Sequence, residues 1–254
     1  MKFLIKKIYI MSLLLIIFLA KPVAFAKDSN VQYTSENISN YFSGIVSVSK
    51  NYNNKAFKHL KKVQSLKNRH SQFNIEFIRT LVLLEKFDQA FTFSENVWAE
   101  DEFFYEADLL LGLDFFIKED YIKAEKHFER LNKISRYNLF FKDFMGNALI
   151  AWSKASQNDQ ENSFKFLEKI PNSYHQLKKI QNIFLQCYFD SYETKKLFEE
   201  LIQSENYNFS RYNFFLTNYL LHKNRIIEAK KTIQNSRKKY NSNLLIKQAE
   251  SFLS

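Results

Sequence analysis

From about residue 36 onward, apolar side chains recur every three or four positions, with charged ones in the spaces between them. In residues 54–67, Ala56, Leu60 and Val63 alternate with Lys58, Lys61 and Lys62; in 243–253, Leu244, Leu245, Ala249 and Phe252 oppose Lys247, Gln248 and Glu250. A period near 3.6 places such positions on one stripe of a helix, whereas a half-buried strand alternates every second residue. The pattern predicts paired helices over 37–50 and 54–67, 72–84 and 87–98, 102–117 and 121–134, 139–156 and 160–170, 175–189 and 192–204, and 210–223 and 226–239. A thirteenth, over 243–253, has one wet face and suits a terminal cap. Pro171 and the polar stretches 205–208 and 241–243 mark turns between helices.

The pairs repeat. Asn53-Asn54-Lys55-Ala56, Phe87-Asp88-Gln89-Ala90 and Tyr121-Ile122-Lys123-Ala124 each set an alanine after a short turn, and the alanines are 34 apart twice over. Ser163, Thr194 and Ala229 continue the series at intervals of 39, 31 and 35. A fixed period of this length is the signature of stacked supersecondary units, each too small to bury its apolar face alone. Small residues at Gly44, Gly112 and Ala56 let a neighbouring helix approach, while Phe115 or Phe128 fills the space beside it.

The third unit, with Leu111-Gly112, Phe115, Tyr121, Ala124 and Phe128, resembles the tetratricopeptide repeat (TPR), and Gly44, Ala56 and Leu60 repeat the match in the first. The second keeps Leu81, Phe87 and Ala90 but has Ile78 where a small residue is usual, and no Pro closes the first three units. These departures leave a related helical-hairpin repeat open as an alternative. The resemblance covers residues 36–254 and implies an all-α fold, an α-solenoid of about six TPR-like hairpins with a C-terminal capping helix. It further implies that the first helix of each hairpin lines a partner-binding groove, at Phe42, Ile45, Glu76, Arg79, Leu110, Leu113, Phe214 and Asn218. Such a wall is mainly apolar and fits a protein or peptide with large hydrophobic anchors, with Arg79 available to a carboxylate. A tightly wound array, or its own terminal helix, would instead fill that groove.

Composition agrees with helices. Three Gly and two Pro in 254 residues are too few for a turn-rich β sandwich or barrel and predict few sharp turns, while 46% apolar residues suffice for a core. The first 26 residues stand apart: Met1-Lys2 and Lys6-Lys7, an apolar run from Ile8 to Ala20, then Ala24-Phe25-Ala26. A basic start, a short apolar run and a small-x-small site predict a signal peptide over 1–26, a flexible leader over 27–35 and the repeat domain from 36. The alternative is an uncleaved N-terminal helix that anchors the protein to the membrane. Cleavage removes four Lys and reduces the formal charge from +10 to +6, leaving no integral membrane domain but a basic chain suited to peripheral contact with the envelope. The resemblance is to exported bacterial proteins of this type, which favours the periplasm.

The search for chemistry returns little. Cys187 is alone and has no intramolecular disulfide partner. His59, His70, His127, His175 and His222 never fall three or four residues apart, as two ligands of one metal on a helix would. No Gly-rich phosphate loop or Gly-x-Ser-x-Gly elbow occurs, and neighbouring carboxylates such as Asp101-Glu102 point to different helix faces. The densest basic stretch, Lys58 to Arg69, follows an ordinary amphipathic pattern, so no nucleic acid is expected. The sequence therefore predicts no catalytic residue, cofactor or metal, and a non-catalytic interaction scaffold. The second function class is a helical-repeat enzyme acting on cell-envelope polymers, which would need a polar cluster in the groove.

Overall fold

The computed structural model describes residues 33–68, 70–134, 143–204 and 209–253. The expected signal peptide, the leader up to residue 32, the start of the helix expected over 139–156 and the turn at 205–208 lie outside the described residues.

The described residues are helical, with no strand among them. In chain order the helices are α1 (Ser35–Ser49), α2 (Asn53–Leu60), α3 (Ser71–Leu83), α4 (Phe87–Val97), α5 (Tyr105–Ile117), α6 (Tyr121–Leu131), α7 (Met145–Ser156), α8 (Gln160–Glu168), α9 (His175–Tyr188), α10 (Thr194–Gln203), α11 (Ser210–His222), α12 (Ile226–Lys239) and α13 (Leu244–Ser251). They form two compact units, divided between Glu85 and Lys86. In the first, α1 and α3 pack against α2; in the second, successive helices from α4 to α12 pack on one another and α13 closes against α11 and α12.

The repeat register holds through both units. Ala56, Ala90, Ala124, Ser163, Thr194 and Ala229, one in the second helix of each hairpin, are all fully buried. Ser163 stands where most of the others carry a methyl, and its hydroxyl donates to the Ala151 carbonyl across the hairpin at 2.9 Å. Close approach explains two of the glycines. A Cβ added at Gly44 would overlap the Leu60 side chain, and one at Gly112 would overlap the Phe128 ring. Both partners are wholly buried, sixteen residues further along, so glycine is what lets the paired helices meet there.

The scarcity of glycine predicts few sharp turns, and here the structure differs. Asn51, Glu85, Glu119, Asn158, Asp190 and Asn224 all have φ of 55–62° and end the first helix of their hairpins. In five of these turns the next amide donates back five positions: Tyr52 to Ser47, Asp120 to Phe115, Asp159 to Lys154, Ser191 to Gln186 and Arg225 to Leu220, at 2.8–2.9 Å. This is the Schellman closure, which satisfies the carbonyls a helix end leaves open. Asn and Asp tolerate the left-handed region because their short polar side chains bond locally; Glu has no such advantage. Glu119→Gly is expected to stabilise the protein by about 1 kcal/mol, the left-handed strain outweighing glycine's entropic cost. Thermal unfolding of the variant checks this, and a lowered midpoint would contradict it.

A second difference lies at 54–67, expected as one α-helix. The α-helical path ends at Leu60 and continues as a 3-10 segment, Lys61–Asn68, with a bend at Val63 (φ −113°, ψ 29°). Leu60, Val63 and Leu66 are all buried and spaced by three. A 3-10 path keeps residues three apart on one face, whereas an α path would swing each about 60° off the last.

Candidate partner-binding surface

Six of the eight expected groove residues fall in two registers, since 42, 76 and 110, like 45, 79 and 113, are 34 apart. The structure treats them differently in the two units. In the first, Phe42 is 61% exposed on α1, flanked one turn either way by Ile38 and Val46, which are about half exposed. Spacing of four puts these three side chains on one stripe. Ile45, beside the stripe, is half-buried. Phe42, Ile38 and Tyr41 form with Leu66 and His70 the wall of an almost wholly apolar cleft of about 180 Å³. The Tyr41 ring lies 4.8 Å from His70 and 5.5 Å from Phe42. His70 is held in place as the cap of α3, its Nδ1 accepting the Phe73 amide at 3.1 Å. Burial, followed by the nearby charge of Glu76, pushes the Tyr41 phenol above its ordinary range. Glu76 accepts from Gln72 at 2.6 Å and pairs with Arg79 at 3.9 Å, leaving half of the Arg79 side chain in solvent.

In the second unit the expected positions are more covered. Leu110 is only 9% exposed and belongs to the core. Leu113 packs against the cluster of Ala124, Phe128, Leu131 and Ile150. Phe214 packs against Ile233, Ile246 and Ala249, while Asn218 is half-buried. An equal angular position on successive helices does not secure equal exposure, because the helices stacked on either side differ.

The apolar pattern gives no sign of a row of buried polar residues in the first helices. Asn40, Asn74, Asp108, Asn147 and Asn213 each stand eleven residues before a left-handed turn residue, and all are buried. In three of them Nδ2 donates to the carbonyl four residues back: Glu36, Asp143 and Phe209. Their Oδ1 atoms accept from His59, Asn132 and Ser236, tying neighbouring helices together. Asn74 instead donates to the Lys67 carbonyl at 2.9 Å and fixes the end of the 3-10 segment.

Asp108 carries this arrangement furthest. Its Oδ1 accepts from Trp98 Nε1 at 2.8 Å, His127 Nδ1 at 2.9 Å and Arg130 Nε at 2.8 Å. Arg130 also donates to the carbonyls of Ala99, Glu100 and Glu102, and its guanidinium lies over the rings of Trp98 and Phe103. The cluster ties the connection between α4 and α5 to α6. An Asp–His pair suggests acid–base chemistry, but the side chains of Asp108, His127 and Arg130 are 0%, 7% and 9% exposed, so no substrate reaches them. Its geometry is that of a structural tie.

Elsewhere the thiol of Cys187 is half-buried, and burial followed by the charge of Asp190 pushes it above its ordinary range, opposite to an activated thiolate. Among the described residues no His, Cys, Asp or Glu cluster is arranged to hold a metal ion, and no helix is long and apolar enough to cross a membrane.

Tandem helical hairpins with small buried residues in fixed register define an all-α repeat protein. Comparison with solved structures specifies the type. A tetratricopeptide repeat protein from Parabacteroides merdae superposes with a TM-score of 0.67 over 87% of this chain and 86% of its own, at 10% identity. The Cut9–Hcn1 hetero-tetramer of the APC/C matches over 87% of this chain at a TM-score of 0.53 and 13% identity, this chain spanning 44% of that one. The fold is thus the TPR-like α-solenoid. No protein-family profile and no curated sequence matches the chain.

Proposed function

We propose that this protein is a non-catalytic interaction scaffold of the cell envelope, and that the first-helix surface of its first unit receives an apolar segment of a partner protein. The observation that carries this reading is the exposed stripe of Ile38, Phe42 and Val46, together with the apolar cleft at Phe42. Three adjacent large apolar side chains in water are the kind of patch that marks a binding surface, and a concave apolar wall with a few polar groups suits an aromatic or aliphatic anchor. Arg79, half in solvent beside Glu76, supplies a charge to orient the bound segment. Leu110, Leu113 and Phe214 support packing instead.

The remainder of the reading rests on the N-terminal sequence. Residues 1–26 serve as a signal peptide, 27–35 as a leader and 36–254 as the repeat domain, with the mature protein in the periplasm; retention of the first helix would leave it membrane-anchored. The alternative, an enzyme acting on envelope polymers, needs an open polar cluster, and the Asp108 cluster is closed.

Affinity capture from envelope extract tests the proposal. The native protein is expected to retain a partner that Phe42→Glu and Arg79→Glu each weaken tenfold or more, consistent with loss of about 1.4 kcal/mol or more at an anchor. Lys58→Glu, on the exposed side of α2, serves as the control. Equal recovery with all three variants would remove this surface from the account.

A further inference from the structure

The last hairpin and the cap are strongly basic. Residues 223–254 contain eight Lys and Arg but two acids. Both acids are already engaged. Arg225, at 2.5 Å, and Lys195, at 2.7 Å, hold the Glu228 carboxyl down at about 2, and Glu250 pairs with Arg237. Lys230, Lys231, Lys238 and Lys247 are exposed and have no acidic partner among the described residues.

Apolar side chains stand among these cations. At the turn from α12 to α13, Leu244 is 79% and Leu245 37% exposed, close in sequence to Lys238, Lys239 and Lys247, and both leucines border a shallow depression with Lys239 and Tyr240. The turn is firmly built. The Asn243 side chain accepts the amides of Leu245 at 3.0 Å and Ile246 at 3.4 Å, and Ile246 and Ala249 are buried against Ile233. Leu244 and Leu245 are neighbours, so the turn presents a small apolar patch and not a lone exposed side chain. Adjacent leucines at a capped turn, close in sequence to exposed lysines without acidic partners among the described residues, fit a bilayer interface, with the apolar side chains entering the headgroup boundary and the ammonium groups meeting lipid phosphate.

We infer that the α12–α13 tip docks on an anionic phospholipid surface through Lys238, Lys239 and Lys247, with Leu244 and Leu245 entering the interface. This contact is independent of the partner surface on α1, so either can fail without the other. The test is sedimentation of the protein, isolated in its cellular form, with vesicles of phosphatidylcholine alone or of a two-to-one mixture with phosphatidylglycerol. Binding is expected to the anionic vesicles, weakening as salt rises from about 0.05 to about 0.3 M. Each lysine near such a surface contributes about a fivefold factor, so Lys238→Glu with Lys239→Glu should lower partitioning by about 30-fold or more. Leu244→Asp should lower it by about tenfold or more. Helical circular dichroism and the unfolding midpoint of these surface variants should stay unchanged, which separates loss of docking from loss of fold. Equal binding to both vesicle types, absence of binding, or anionic binding that survives the variants would overturn the inference. Binding of a single-stranded oligonucleotide with no binding to vesicles would assign the lysines to nucleic acid and overturn it equally.

Discussion

Asp108→Ala is expected to destabilise the second unit by about 3–5 kcal/mol, the cost of breaking a buried ion pair from one side. The substitution leaves the Arg130 guanidinium without its carboxylate and strands the Trp98 and His127 N–H groups, all three of which now converge on Oδ1 within 2.9 Å. Asp108→Asn should cost less, since an amide oxygen still accepts, but it replaces the attraction between two charges with that between a charge and a dipole. Glu129→Ala, an exposed acid on the same helix as His127 and Arg130, should change stability by no more than about 0.5 kcal/mol. Denaturant unfolding measures all three. A cost near 1 kcal/mol for Asp108→Ala would mean that the cluster is not the tie its geometry indicates. Because Arg130 reaches the carbonyls of Ala99, Glu100 and Glu102 from α6, hydrogen exchange in residues 99–104 should rise in the alanine variant before the rest of the unit is affected.

Phe128→Ala is expected to cost a similar amount, about 3–5 kcal/mol, through lost transfer energy and the cavity left behind. The ring is wholly buried over Gly112 and packs with Ala124, Leu131 and Ile150. The informative experiment is the double-mutant cycle. Alone, Gly112→Ala forces a methyl into the Phe128 ring and should cost about 1–3 kcal/mol, although alanine is the better helix former by about 1 kcal/mol. With Phe128→Ala the ring is gone and the methyl partly refills the cavity, so the double variant should be more stable than Phe128→Ala alone. Additive costs would show that the two helices do not meet at Gly112 as described.

The same pair of residues shows what the sequence reveals and where it stops. Gly112, Ala124 and Phe128 are visible as a pattern because a small residue facing a large one at fixed spacing is a packing requirement, and packing repeats with the hairpin. Ser163 and Thr194 could be placed in that series by spacing alone, and both are fully buried. The turns are hidden from a count of glycines because Asn, Asp and even Glu occupy the left-handed position, most of them supported by backbone hydrogen bonds. The 3-10 segment after Leu60 is hidden because Ala56, Leu60 and Val63, spaced by four and then three, read as an ordinary α-helical stripe up to the bend.

Asp108 is the more instructive omission. An isolated aspartate in an apolar helix reads as a wet position, yet Asn40, Asn74 and Asp108 are evenly spaced, one in each of the first three hairpins. Its partner His127 occupies the register of His59, which bonds Asn40 in the same way. Aligning the hairpins on polar as well as small residues would have found the row. The candidate surface was only half legible for a different reason. Register specifies the face on which Phe42, Glu76 and Leu110 sit, but their exposure depends on what the adjoining helices cover, and that is set by contacts distant in sequence.

The central claim, that Phe42 and its neighbours on α1 meet a partner, is tested most directly by placing a photo-crosslinking amino acid at position 42 and irradiating intact cells. The account predicts one discrete protein adduct from position 42, lost when Arg79→Glu is added and absent when the crosslinker stands at position 58. No adduct from position 42, or the same adducts from both positions, would contradict it.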